Sequence, residues 1–344
     1  MRCRNSARGF TMVEFLVGVT VFLVITGAAV SLYVRHMPLY SRQQDLSALN
    51  VGLRNAAAQL QIDLANAGTG MYAGVNVAHW PIGITVVNQR PSGTCYDGAT
   101  NSYSAECFDT LHVIAADPNV PPVHPEDIGT NCVSTTSSIA FAEPPPGMTP
   151  AQAAAGYRNG DALLFLRGDG SQMTVAMMTQ DGDVSGNKIR LQHNPTGADG
   201  VNSFDPWGIT MQPSNKLGDT YCTTDWVLKL TPISYSVDAS DPENPVLLRW
   251  RNNTSEVMAE QIIGFKVGVT LWNGVSTSSE AYNFDAESYT RDFTRIRSVR
   301  VSLIGRTRPN RDPNYRYRNS FDGGPYQIQG LSVVVNPRNL SMND

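Results

Sequence analysis

Residues 10–34 read FTMVEFLVGVTVFLVITGAAVSLYV, an almost wholly apolar run whose one charged side chain is Glu14. As an α-helix, this run would be roughly 37 Å long at 1.5 Å per residue, which is enough to cross a bilayer. Arg2, Arg4 and Arg8 precede the run, so the N-terminal side should stay in the cytoplasm while the rest of the chain is exported. The sequence therefore predicts a transmembrane helix over residues 10–34.

Two other kinds of segment begin in this way: a cleaved secretory signal and a plain membrane anchor. A secretory signal has a shorter apolar core and ends in a small-x-small cleavage site, whereas this run is long and passes directly into a polar helical pattern. A plain anchor gains nothing from Glu14, because a carboxylate at that depth costs about 2.5–3.5 kcal/mol on insertion scales and normally has a partner. Glu14 therefore indicates a helix that assembles with another molecule.

Residues 8–14, RGFTMVE, resemble the type IV prepilin signal, which is a basic leader ending in Gly, then Phe, then Glu five residues into the mature chain. The resemblance implies that residues 1–9 are the leader, that a membrane prepilin peptidase cuts between Gly9 and Phe10, and that the new N-terminus at Phe10 is methylated. It also implies that Glu14 neutralises the Phe10 amine of a neighbouring subunit during assembly. That pairing makes physical sense, because opposite charges attract strongly in a medium of low dielectric constant.

The helix is predicted to continue beyond the membrane as an amphipathic segment over residues 35–70. Apolar residues recur there at intervals of three or four, as on one face of a helix. They are Leu46, Leu49, Leu53, Ala57, Leu60, Leu64 and Ala67. Pro38 should kink or interrupt the helix, and Gly68 and Gly70 should end it. One side of this segment is expected to lie on a globular head.

Residues 71–344 are predicted to form that head from mostly antiparallel strands, because apolar and polar residues alternate in several runs. The alternating runs include Ile82–Val86, Ile233–Val237, Phe265–Leu271 and Val299–Leu303. Further candidates are Leu111–Ala115, Ala162–Leu166, Met173–Met178, Lys188–Gln192, Val246–Trp250 and Gln327–Asn336. Residues 118–156 are rich in Pro, Ala and Thr and indicate a long surface loop. The predicted fold class is α+β, a long N-terminal helix packed on an antiparallel β-rich head.

Six short segments, in order along the chain, resemble PilW-type minor pilins. They are residues 62–68, 233–237, 247–249, 260–267, 296–303 and 333–340. In that family they correspond to the end of the long helix, a central hairpin, two later strands and a terminal strand with an Arg-Asn ending. Residues 88–160 and 197–224 match nothing in this pattern and are expected to be insertion-like loops. The resemblance implies a minor pilin, a structural and assembly component of a type IV pilus.

The resemblance also implies partners and a location. The partners would be companion minor pilins and the major pilin, the prepilin peptidase, the inner-membrane assembly platform and, as a further candidate, a large tip adhesin. The chain would be a single-pass inner-membrane protein with its head in the periplasm, and would then enter the extracellular pilus. A head of about 275 residues is bulky, which favours the filament tip and a part in starting assembly.

Two alternatives stay open. A minor pseudopilin of a type II secretion system shares the signal and the scaffold. A membrane-anchored surface adhesin that never polymerises is the second alternative, although it would have no use for Glu14.

The cysteines favour an oxidising compartment. Five are present, and Cys3 lies in the predicted leader, so its removal leaves an even number, Cys95, Cys107, Cys132 and Cys222. Cys95–Cys107 is the favoured pair because the loop between them is short and turn-rich, and Cys132–Cys222 would then pair by default. Free buried thiols are the alternative.

Catalysis and nucleic-acid binding find little support. The net charge is −4, and about −7 without the three leader arginines, and no basic face stands out for nucleic acid. The five histidines are scattered, and no metal, nucleophile-elbow, P-loop or dinucleotide motif occurs, so neither an enzyme activity nor a cofactor is predicted.

One loop contains the first part of a calcium-binding sequence pattern. Asp181, Asp183 and Asn187 have the spacing that opens a calcium loop, but Gln192 stands where the bidentate Glu belongs. A hairpin turn between strands 173–178 and 188–192 is the favoured interpretation, since Asp, Gly and Asn suit turns without any metal.

Overall fold

The computed structural model describes residues 11–71, 83–89, 95–100, 102–127, 129–193, 216–251, 254–272, 277–280, 296–310 and 315–341. The fold is α+β, as predicted, because a long N-terminal helix is followed by an antiparallel β-rich head. The helices are α1 (Met12–Ala65), α2 (Pro150–Ala154) and α3 (Arg338–Ser341), with one 3-10 turn at Ala105–Cys107. The predicted leader, residues 1–9, lies outside the described residues, as do Phe10 and most of the insertion-like segment 197–224.

The described residues form nineteen strands. They are β1 (Ile84–Val87), β2 (Tyr96–Asp97), β3 (Ser102–Tyr103), β4 (Thr110–Ala116), β5 (Pro125–Glu126), β6 (Cys132–Val133), β7 (Ile139–Ala142), β8 (Ala162–Leu166), β9 (Met173–Met177), β10 (Asp183–Ser185), β11 (Lys188–Gln192), β12 (Tyr221–Cys222), β13 (Trp226–Asp238), β14 (Val246–Arg251), β15 (Thr254–Glu260), β16 (Ile262–Trp272), β17 (Thr277–Glu280), β18 (Ile296–Arg306) and β19 (Ile328–Val335).

The strands form three larger sheets and two pairs, and all their described pairings are antiparallel. The central sheet has the order β1-β4-β13-β14-β15, and β8 extends it by pairing with both β13 and β9. The C-terminal sheet has the order β17-β16-β18-β19, and the small sheet has the order β10-β11-β7-β5. The pairs are β2–β3 and β6–β12.

The chain divides into two compact units, Met1–Ala48 and Leu49–Asp344. In the first unit, Met12–Val34 is a helical segment long and apolar enough to cross a membrane, and all its side chains are exposed. The helix is not broken at Pro38, although a break there was one of the predicted outcomes. A proline removes a single i to i−4 hydrogen bond, which a helix of 54 residues can tolerate.

In the second unit, the last turns of α1 bury the predicted apolar stripe. Its buried members are Leu49, Leu53, Ala57, Leu60, Leu64 and Ala67, and Ala56 joins them. Leu46, the first residue of the predicted stripe, belongs to the first unit and is only half-buried. The amphipathic pattern therefore predicted correctly which face of the helix packs into the head.

The helix ends at glycines, as the sequence indicated. Gly68 and Gly70 have φ angles of +73° and +83°, a conformation in which a β-carbon would be strained. Residues near the C-terminus also contact the end of this helix. Leu340 lies against Gly68 and Gly83, and Asn339 donates hydrogen bonds to the Ala67 carbonyl and the Thr69 hydroxyl.

Two hydrophobic cores fill the head. The main core lies among α1, the central sheet and the C-terminal sheet. A second core joins α2 and the small sheet to the opposite face of β8 and β13. Strand β8 is buried along its whole length because it faces both cores, with Leu164 and Leu166 in the first and Leu163 and Phe165 in the second.

The surface-loop prediction for residues 118–156 is wrong. That segment contains β5, β6, β7 and α2, and it contributes buried residues such as Val123, Ala140 and Ala153 to the second core. Its strands have only two to four residues, too few to produce a visible alternation. The other predicted strands form at their expected limits or within seven residues of them, whereas β15 and several two-residue strands carried no clear signal.

Candidate assembly site

The first turn of α1 carries an acidic cap. Thr11 stands just before the helix, and its backbone N–H and its hydroxyl both donate to Oε2 of Glu14 over 2.9 Å. In return, the backbone N–H of Glu14 points to the Thr11 hydroxyl at 3.3 Å. This reciprocal arrangement is a capping box, and it satisfies two backbone donors that a helix start leaves unpaired.

Glu14 thereby lies at a fixed place on an exposed apolar surface. Met12, Val13 and Phe15 surround it in sequence and are all more than half exposed. Glu14 is the one charged residue of the membrane-length segment. A carboxylate in hydrocarbon is costly without a cation, so the arrangement suits one incoming positive group.

The structure describes Glu14, the predicted assembly residue, but it does not describe Phe10, whose amine is the predicted partner. Glu14 lies in the first turn, as the sequence indicated. Gly9 and Phe10, the predicted cleavage pair, lie outside the described residues. Thr11 was not singled out from the sequence, although the spacing Thr-x-x-Glu before an apolar run is the signature of a capping box.

A buried ionic network holds the other end of α1 to the central sheet. The guanidinium of Arg249 donates to Asp63 from Nε at 2.7 Å and from Nη2 at 3.2 Å, and the Tyr235 hydroxyl donates to the same carboxylate. Gln59 donates a further bond to Asp63 over 3.1 Å, and Glu256 accepts from Arg249 at 2.5 Å. Three elements, α1, β13 and β14, therefore converge on one carboxylate.

Burial and neighbouring charges shift the pKa values of Arg249 and Tyr235 in this network. Burial opposes the charge on Arg249, but its hydrogen bonds to Asp63 and Glu256 outweigh that effect and raise the pKa of the guanidinium. The pKa of Tyr235 is also raised, first by burial and then by the neighbouring negative charge of Asp63. Tyr235 therefore stays a neutral hydrogen-bond donor and Arg249 stays charged, which is what a buried aspartate requires.

A second polar joint lies where the central and C-terminal sheets meet. Gln261, between β15 and β16, has a φ angle of +59°, which is uncommon for a residue other than glycine. Its side chain donates to the Glu243 carbonyl and accepts from Nε of Arg306 at 2.9 Å. Arg306 is fully buried and lies over the Tyr326 and Tyr103 rings, 4.9 and 5.4 Å from their centroids.

The contacts around Asp63, Gln261 and Asn339 connect segments that resemble PilW-type minor pilins and lie far apart in the sequence. Asp63, Tyr235 and Arg249 come from the first three PilW-like segments, and they meet in one network. Gln261 comes from the fourth segment, and Asn339 from the last. Sequence reasoning marked the segments but did not find these contacts, because no local pattern shows which distant residues meet.

The four cysteines outside the predicted leader form two disulfides, Cys95–Cys107 and Cys132–Cys222, in the pairing that the sequence favoured. The first closes a small loop that includes β2, β3 and the 3-10 turn. The second joins β6 to β12, across 90 residues of sequence.

The candidate calcium residues lie in a hairpin. Asp183 begins β10, which pairs with β11, and Asn187 is in the turn between them. The expected partner strand was β9, but β9 pairs with β8 instead. Asp181 accepts from the backbone of Asn159, and Asp183 accepts from the backbone of Val184. Within the described residues, no group of three His, Cys, Asp or Glu side chains could hold a metal ion.

Comparison with known proteins supports the interpretation of the N-terminus. Residues 4–30 match a family model described as the prokaryotic N-terminal methylation motif, and that range includes Gly9, Phe10 and Glu14. A type IV-like pilin from Thermus thermophilus matches in structure with a TM-score of 0.31 and 9% identity, over 85% of this chain and 98% of that chain. The search of curated proteins gives no match. The motif match agrees with the prepilin-like signal predicted from residues 8–14.

Proposed function

We propose that this chain is a minor pilin of a type IV pilus, of the PilW type, located near the filament tip and active in starting assembly. The observation that carries the proposal is Glu14, a single carboxylate held at the start of an exposed, membrane-length apolar helix inside a methylation motif. A prepilin peptidase would cut after Gly9, and the methylated amine of Phe10 on the next subunit would pair with Glu14.

The pairing gives the assembly step a physical basis. Among the described residues, the carboxylate of Glu14 accepts hydrogen bonds only from the two Thr11 donors. The amine of an incoming subunit offers a full positive charge, and the attraction is strong in a low-dielectric bundle of helices. The apolar surface of Met12–Val34 would leave lipid for contact with similar helices of companion minor pilins and the major pilin, guided by the inner-membrane assembly platform.

The head supports the minor-pilin part of the proposal. The small sheet, α2 and the disulfide between β6 and β12 add a second core to the helix-bearing main core. Such a bulky head fits most easily where no subunit lies above it. The PilW type is supported by the three joints around Asp63, Gln261 and Asn339, since they connect the segments in which the resemblance resides.

The proposal is tested by replacing Glu14 with glutamine, which keeps the size of the side chain and removes its charge. We expect the leader to be cut and Phe10 to be methylated as before, while the protein is lost from the sheared pilus fraction and remains in the inner membrane. The matched control is Asp45→Asn, which removes an acid from the same helix beyond the apolar segment and should leave incorporation normal.

The measurements are mass spectrometry of the N-terminal peptide, immunoblots of membrane and pilus fractions, and immunogold labelling. A mature N-terminus at Met1 or beyond Val34 contradicts the prepilin interpretation. Even labelling along the shaft contradicts the tip location. Deletion of the gene should sharply reduce surface pili. Normal piliation with defective secretion would instead identify a type II secretion pseudopilin.

A further inference from the structure

Strand β19 has an open edge. It is the last strand of the C-terminal sheet and pairs only with β18 among the described residues. The N–H of Thr307 donates to the Gln327 carbonyl, in the same register as the β18–β19 ladder. Because inward and outward backbone groups alternate along an antiparallel strand, Ile328, Gly330, Ser332 and Val334 direct their N–H and C=O groups away from β18.

This edge lacks the features that discourage strand pairing. β19 is eight residues long, has no charged residue or proline, and keeps an unbroken register with β18. The outer strand β15 of the central sheet carries Glu256 and Glu260, and its ladder with β14 has a register shift. At the other end of the C-terminal sheet, β17 is only four residues long and contains Glu280. Charged residues, β-bulges and a short length discourage an edge strand from pairing with another chain, and β19 has none of these features.

The side chains of β19 show what a new strand would meet. On the inner face, Leu331 and Val333 pack against the main core but remain half-buried. On the outer face, Gly330, Ser332 and Val334 are exposed. An added strand would therefore cover apolar residues on one face and meet small or polar residues on the other.

A trough lined by Arg300 and by the Lys266–Asp109 pair runs beside the edge on the outer face. It has a volume of about 400 Å³ and crosses from β16 over β18 to Val334 of β19. Lys266 in this trough already binds Asp109 at 2.9 Å. Arg300, which pairs with Val334 across the two strands, is exposed, and its guanidinium has no hydrogen-bond or ion-pair partner among the described residues.

We propose that the open edge of β19 is a docking site for an extended segment of a different protein, which joins the C-terminal sheet as an added strand. The segment would alternate apolar side chains, which cover Leu331 and Val333, with side chains that include an acid directed toward Arg300. Strand addition supplies main-chain hydrogen bonds, and the alternating side chains supply specificity. A second copy of this chain that pairs through its own β19 fits less well, because β19 has no charged residue to neutralise Arg300.

The test uses the full chain in detergent micelles and two fluorescein-labelled peptides of ten residues. Both alternate valine with threonine, and two central threonines are replaced by aspartate in one peptide and by lysine in the other. Fluorescence anisotropy measures binding. We expect the aspartate peptide to bind with a dissociation constant below about 1 mM, and the lysine peptide to bind at least about tenfold more weakly.

Three variants separate the edge from other effects. Ser332→Pro removes one outward N–H and should weaken binding of the aspartate peptide at least about tenfold. Ser332→Ala removes only the hydroxyl that bonds Ser302, and Ser255→Pro places a proline on β15, an outer strand of another sheet, so both should bind as the wild type does. Arg300→Glu should reverse the preference between the two peptides.

Thermal unfolding of each variant checks that the head remains folded. If neither peptide binds to the wild type, or if Ser332→Pro binds as well as the wild type, the docking site is refuted. If the wild type sediments as a dimer that Ser332→Pro converts to a monomer, the occupant is a second copy and the assignment to a different protein is overturned. Peptide binding does not depend on pilus incorporation, so these results are independent of the Glu14 test.

Discussion

Replacing Asp63 with asparagine should destabilise the head far more than its small chemical change suggests. The two side chains have nearly the same shape, so the change removes charge and leaves the packing in place. Asp63 accepts hydrogen bonds from Arg249, Tyr235 and Gln59, and the side chains of Asp63 and Arg249 are only 7% and 10% exposed. The variant therefore leaves a buried guanidinium without its main counter-charge.

The size of the effect follows from that burial. Removing one partner of a buried ion pair costs about 3–5 kcal/mol, because the remaining charge is not compensated. Glu256 still accepts from Arg249, but its side chain is 58% exposed, so it offsets only a part of the loss. We expect a loss of about 3 kcal/mol, or roughly 6 °C in melting temperature for a domain of this size. Tyr235→Phe removes a single bond to the carboxylate and should cost about 1.5 kcal/mol.

The assay is urea unfolding of the full chain in detergent with its disulfides intact, followed by near-ultraviolet circular dichroism. The control is Asp181→Asn, because the Asp181–Arg158 pair is 61% and 64% exposed and should be worth less than about 1 kcal/mol. The double variant Asp63→Asn with Arg249→Met should lose less than the sum of the two single variants, since the two residues share one interaction. If Asp63→Asn costs no more than Asp181→Asn, the network does not hold the helix to the sheet and the reasoning fails.

Two further outcomes are expected from the head. Thiol labelling of the unreduced, unfolded mature protein should find no free cysteine, since Cys95–Cys107 and Cys132–Cys222 are closed; two or more labelled thiols per chain would contradict this pairing. Burial acts to raise the pKa of Asp322, but hydrogen bonds from Tyr103 and Tyr326 outweigh it, so the pKa is lowered. Its contribution to stability should therefore be complete above about pH 4 and decline as the pH falls further, so the stability gap between wild type and Asp322→Asn should stay constant from about pH 5 to 7 and narrow toward pH 3; a gap that widens in acid would refute the assignment.

Sequence patterns predicted the parts of this fold that depend on local periodicity. The stripe from Leu49 to Ala67 repeats at helical spacing over several turns, and β8 and β11 form at their predicted limits. The glycines that end α1 were readable because their backbone angles are difficult for other residues.

The parts that escaped prediction depend on distant contacts. Strands β5, β6 and β7 are held by a disulfide and by the second core, so their residues show no period of their own. Arg249 looked like a polar residue on a strand, and only its meeting with Asp63, 186 residues away, shows why it is buried. In the candidate site, Glu14 could be predicted from the sequence because it is the one charged residue of the apolar run. The hydrogen bonds that Thr11 donates to it became evident only from the geometry of the first turn.

The fastening of Leu340 and Asn339 to the end of α1 has a consequence for biogenesis. Asn339 and Ala67 are 272 residues apart in sequence, so the helix end leaves the ribosome long before the residues that cover it. Contacts of such long sequence separation form slowly, because a large loop must close first. The end of α1 around Gly68 would wait without its contacts to Leu340 and Asn339 during that interval. We therefore expect the newly made head to depend on a holding chaperone, and chains truncated before Asn339 to be degraded soon after synthesis.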